Sequence, residues 1–168
     1  MSALVVVFLL LGAPLLAEAA VAVPASVEDL ARGSDAVVRG RVTSVTSRWV
    51  GGRIFTFAEV ERASVWRGSA PDRVTVVTPG GVVGGIGQRV DGAAVFAEGE
   101  DAVVFLTRAE AGAYRVSGLA QGKFAVDAGV ARPDLAHTRF VASELRAGER
   151  QSEEMDVAEL ERRVRSAR

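Results

Sequence analysis

Three features of the chain predict a mainly β fold. Valine and glycine dominate its middle, where strong helix formers are scarce. Apolar and polar residues alternate with a period of two over long runs. Turn residues break those runs at short intervals. Roughly six strands joined by such turns read as an antiparallel barrel or sandwich. The length of 168 residues, with 49% of them apolar, suits one globular domain. Such a chain buries roughly 70% of the surface that it exposes unfolded, so it needs no disulfide or metal to hold it together. Cysteine is absent, which excludes disulfides, thiolate metal sites and cysteine nucleophiles. A net charge of −1 lacks the basic excess of a broad nucleic-acid footprint, and no nucleic-acid partner is expected.

The chain opens with an uncharged apolar run, Leu4 to Leu16, followed by Ala17-Glu18-Ala19, a small-residue cleavage pattern. Thirteen residues interrupted by Gly12 and Pro14 are too short to cross a bilayer core of about 30 Å. Residues 1–19 are therefore expected to be a signal peptide, and the chain to be exported, periplasmic or secreted, with no membrane contact once it is removed. A barrel domain is expected over 20–131, starting with a short helix. Ser26 can cap it, Asp29 stands at the capping-box position and Gly33 can end it. Ala36 to Trp49 alternates as a long strand, in which Gly40 suggests a bulge. Val50 to Arg53 is a hairpin turn, and Ile54 to Gly68 returns as a second strand. Trp49 and Trp66 end these two strands and are expected to cap the barrel together. Arg73 to Thr78 is a third strand, stopped by Pro79. Glu98 to Asp101 is a charged turn ahead of a buried strand, Ala102 to Thr107, and further strands run from Tyr114 to Leu119 and from Lys123 to Val126. A helical extension is expected over 132–168. Thr138 to Gly148 is expected to form a short helix ended by Gly148. The second is better specified: Asp156 caps it, Glu159 completes the box, and Val157, Leu160 and Val164 line one side.

The stretch TPGGVVGGIGQRV, Thr78 to Val90, raises the question of phosphate binding. A Walker loop needs Lys after its last glycine, where Ile86 stands. A Rossmann turn needs a third glycine and a following helix, and neither is present. The glycines instead suit tight bends and close backbone approach, with Val82, Val83 and Ile86 expected to anchor the loop. Gln121 and Lys123, polar residues beside apolar strand positions, are candidate contacts at a turn or rim. His137 is the only histidine, which with no cysteine cannot build a zinc site; neither metal nor cofactor is expected. No serine lies in a nucleophile elbow. His137 with Ser117 or Ser143 leaves a hydrolase as the alternative reading.

Taken together, the segments DAVVRGRV, VWRG, PGGVVGGIGQ and GLAQGKF resemble a family of small secreted β-rich bacterial proteins, found in myxobacteria and their relatives. The likeness covers Leu30 to Val126. It implies an exported β-barrel domain, in some members associated with matrixin-like metalloproteases, and supplies no catalytic residues. DAVVRGRV followed by a long second strand also looks like the start of an OB-type barrel of the netrin and metalloprotease-inhibitor kind. Those inhibitors use an N-terminal cysteine that this chain lacks. The expectation is thus an OB-like antiparallel barrel serving as a non-enzymatic binding or accessory module for a protein or peptide in the envelope or outside the cell. Its contact surface would join Gly80, Gly81, Gly84, Gly85, Gln88 and Arg89 to Gln121 and Lys123. A third reading makes it a structural subunit of an envelope assembly, docked through its C-terminal helix.

Overall fold

The computed structural model describes residues 21–140 and 153–168. The expected leader, Ser143 and the stretch of the Thr138–Gly148 segment beyond Phe140 lie outside the described residues. In chain order, β1 (Val21–Ala22) and α1 (Val27–Arg32) precede the two longest strands, β2 (Ala36–Val50) and β3 (Arg53–Gly68). Then come β4 (Arg73–Pro79), β5 (Gly81–Val83), β6 (Ile86–Gln88), β7 (Asp101–Arg108) and β8 (Tyr114–Val116). The remainder comprises β9 (Lys123–Asp127), β10 (Val130–Pro133), β11 (Arg139–Phe140), β12 (Met155–Asp156) and α2 (Val157–Ser166). Arg139–Phe140, expected to be helical, pairs instead in parallel with Val21–Ala22.

Local chemistry accounts for the helix starts. The Ser26 hydroxyl accepts the Asp29 amide at 3.1 Å and donates to the Asp29 carboxylate at 2.7 Å, a reciprocal cap. The Asp156 carboxylate accepts the Ala158 amide at 2.7 Å and starts α2.

The fold is mainly β, with one large mixed sheet ordered β12-β10-β9-β7-β2-β3-β4-β8. β8 also pairs with β7, so the run β7-β2-β3-β4-β8 returns to its start. Five strands joined in such a circuit cannot alternate direction throughout, so one pair must be parallel. That pair is β4–β8, meeting at Val76 and Tyr114, and it corrects the expectation of a wholly antiparallel arrangement.

Both faces of β7 and of the first residues of β2 (Ala36–Val38) are buried, which explains the unbroken apolar run Ala102–Leu106. Ala36, Val38, Val42, Ala102, Val104 and Leu106 enter one core, together with Phe96 and Tyr114. Val37, Val103 and Phe105 point the other way, into a second core with Trp66, Phe124 and the apolar faces of α1 and α2. Leu160 and Val164 are fully buried there, so the stripe on α2 is covered by its own domain. Trp66 belongs to this second core, whereas Trp49 is exposed at the far end of the β2–β3 hairpin. The two tryptophans therefore do not form a common cap: a hairpin places the end of one strand beside the start of the next.

Glu28 of α1 and Arg163 of α2 form a two-pronged ion pair, both contacts at 2.7 Å. The Arg163 guanidinium holds the Glu28 carboxyl below its ordinary value of 4.5, against the upward push of partial burial. A depressed carboxyl stabilises the fold above its unfolded value, and this contribution is lost as pH falls through the lowered folded value. Glu28→Gln is accordingly expected to be less stable than the native chain at neutral pH, with the gap closing as pH falls below 4.5. Denaturant midpoints measured across that range check this; a gap of constant size contradicts it.

Candidate functional site

The glycine stretch is a small hairpin seated on the end of β2–β3. Leaving β4, the Gly80 amide donates to the Ile54 carbonyl at 2.8 Å, and the Gly80 carbonyl accepts the Thr56 hydroxyl at 2.8 Å. Gly81, at φ 134°, lies flat on the hydroxyls of Ser47 and Thr56, which are 2.9 Å apart. A Cβ at Gly81 would stand 2.3 Å from Ser47 Oγ and 2.5 Å from Thr56 Oγ1, so this position excludes a side chain on both counts. β5 and β6 then join through the Gly84-Gly85 turn, in which both residues have positive φ, as a two-residue hairpin loop requires. On the return, Gln88 Oε1 accepts the Ile54 amide at 3.0 Å. Arg89 projects outward, 3.7 Å from the Asp91 carboxylate.

Polar contacts at its root hold this hairpin, and its apolar residues are not the anchor. Val82 is 66% exposed and Ile86 57%, which corrects the expectation that they pack it down. The root bonds of Gly80, Gln88 and Thr56 already fix the loop and leave the tip free to project.

Between the hairpin and the segment after it lies an open cavity of about 560 Å³. Val45, Val90, Val95 and Phe96 give it apolar walls, while Arg89 and His137 contribute polar groups. The His137 carbonyl accepts the Gly92 amide at 2.9 Å, tying residues 90–96 to the loop that carries it. The His137 side chain is exposed and has no hydrogen bond among the described residues. Ser117, its suggested partner, does not line the cavity. Its hydroxyl is engaged with Ser34 at 2.9 Å and Thr107 at 2.7 Å.

The other two expected contacts are placed differently. Gln121 is 1% exposed, and its amide ties down the N-terminal segment. Its Oε1 accepts the Ala25 amide at 2.8 Å, and its Nε2 donates to the Val23 carbonyl at 3.0 Å. Lys123 is 5% exposed, paired with the Glu100 carboxylate and 5.5 Å from the centre of the Phe96 ring. Neither lines the cavity. The structure therefore brings Gly80, Gly81, Gln88, Arg89 and His137 together and leaves Gln121 and Lys123 within the domain, their side chains engaged internally.

Sequence reasoning missed the projecting tip of β2–β3, where Trp49 and Val50 are 48% and 46% exposed. Only its Gly-Gly turn signalled it. A second groove, of about 410 Å³, lies on the opposite face of the same strands, between Phe55, Phe57, Val77 and the Ala109–Ala113 loop. Arg48 stacks over Phe57 at 3.9 Å beside it. Among the described residues no group of three or more His, Asp or Glu side chains is placed to hold a metal ion, and no helix is long and apolar enough to cross a membrane. No protein-family model, curated protein or solved structure matches this chain.

Proposed function

We propose that the chain is an exported, non-enzymatic binding module on an OB-like barrel, which holds an extended segment of a protein partner in the envelope or outside the cell. The observation that carries this reading is the cavity at the root of the β5–β6 hairpin, apolar inside and edged by Arg89 and His137. Concave apolar walls with a few polar groups are the usual form of a binding site. The circuit of five strands with one parallel pair supports an OB-like barrel. The apolar run Leu4–Leu16 followed by Ala17-Glu18-Ala19 supports export. Apolar side chains of the partner enter between Val90, Val95 and Phe96, its backbone runs beside the short strand β6, and a carboxylate meets Arg89.

The test is capture by the immobilised chain from envelope and secreted fractions, with the double variant Arg89→Glu and Val95→Asp as control. Both side chains are exposed, so the variant keeps its fold. A partner retained by the native chain and lost from the variant is the expected outcome. Equal retention by both places binding elsewhere and removes the cavity from the account.

A further inference from the structure

The geometry points to docking of two neighbouring hairpin tips on an anionic lipid surface, a contact that goes beyond the protein partner proposed above. Four of the large apolar side chains exposed among the described residues sit on these tips: Trp49 and Val50 on β2–β3, Val82 and Ile86 on β5–β6. The tips belong to one end of the molecule. Gly80 and Gln88 both bond to Ile54, the cross-strand partner of Trp49, and Gly81 rests on Ser47 and Thr56. From Ser44 to Val50 the β2–β3 register is regular, so Trp49 shares a face with Ser47, the face on which β5 lies. Both hairpins turn on a Gly-Gly pair, which brings apolar residues close to the apex.

Charge selects the occupant. None of the chain's acidic residues falls in 44–58 or 74–90, the segments that build this end, whereas Arg48, Arg53 and Arg89 do, the last of them beside Asp91. Arg48 and Arg53 are exposed and form no ion pair among the described residues. Trp49 and Ile86 line neither the cavity nor the second groove, so neither is seated to receive a protein anchor. Protruding apolar residues, a tryptophan and flanking arginines match the interfacial zone of a bilayer, where aromatic rings settle at the headgroups and cations meet acidic lipid. Of the four tip side chains Val82 alone lines the cavity, so the module would sit on a membrane while holding its partner. It also departs from the expectation of no membrane contact.

Trp49 reports the outcome directly. The full chain is mixed with vesicles of phosphatidylcholine, alone or with phosphatidylglycerol, carrying brominated acyl chains that quench tryptophan on contact. The apolar run Leu4–Leu16 contains no tryptophan, and Trp66 is 5% exposed and shielded from lipid, so quenching reads the tip. The expected result is blue-shifted, quenched emission, with binding to the acidic vesicles roughly tenfold stronger or more than to the neutral ones. Trp49→Phe abolishes the signal, and Arg48→Glu with Arg53→Glu removes the preference for acidic lipid. Emission that acidic vesicles leave unshifted and unquenched overturns the inference. So does sedimentation with vesicles without quenching, which assigns binding to the apolar N-terminal run, and so does a Trp49 shift produced by a captured protein but not by vesicles.

Discussion

Lys123→Ala is expected to lower the unfolding free energy by about 3 kcal/mol, because it leaves Glu100 as an uncompensated charge in a nearly closed site. The side chains of the pair are only 6% and 16% exposed. Removing one partner therefore forfeits the attraction without restoring the hydration that the other lost on folding. The same reasoning predicts that the double replacement Lys123→Met with Glu100→Leu recovers most of the loss, since two apolar side chains of similar volume carry no desolvation cost. Denaturant midpoints of the three proteins measure both effects. A loss below about 0.5 kcal/mol for the single variant would mean that the pair is effectively solvated.

A comparable cost is expected at Gly40, for a steric reason. Gly40 is buried at a register shift between β2 and β3, with β7 on its other side. A Cβ there would lie 2.3 Å from the Glu61 carbonyl oxygen and 2.8 Å from Val60 Cγ1. Neither can yield cheaply, because the first belongs to the paired backbone and Val60 is itself fully buried. Gly40→Ala must therefore push β2 away from β3, at a cost of about 3 kcal/mol. Gly87 supplies the contrast: the nearest atom to a Cβ there is Val82 Cγ2 at 3.9 Å, so Gly87→Ala is expected to stay within about 0.5 kcal/mol of the native chain. Equal midpoints for the two variants would contradict the bulge geometry.

What the sequence disclosed and what it concealed follow from the range of the forces involved. Ser26 and Asp156 announce helix starts because a cap acts within three residues. The β2–β3 hairpin is legible from its alternation and its Gly51-Gly52 turn, and Gly40 marks its own bulge. The parallel pair β4–β8 leaves no local trace, being forced by the closing of a five-strand circuit. The roles of Gln121 and Lys123 are concealed by distance. Gln121 bonds to backbone 96 and 98 residues away, and Lys123 meets a carboxylate 23 residues away, so both look like polar residues at a turn. The apolar pattern of Val82 and Ile86 suggested packing, because periodicity reports hydrophobicity and not which surface meets it. Nothing local says that Gly80 and Gln88 already fix the hairpin through Ile54.

The central claim is that the cavity end of the molecule holds the partner, and site-specific photo-crosslinking addresses it most directly. A photoreactive side chain is placed at Val95, on the cavity wall and 65% exposed, or at Arg165, on the exposed face of α2. Each protein is irradiated in the presence of envelope and secreted fractions. The account predicts a discrete crosslinked product from position 95, lost when Arg89→Glu is added, and none from position 165. Crosslinking from 165 alone, or equally from both, would move the interface to the helical face and contradict the account.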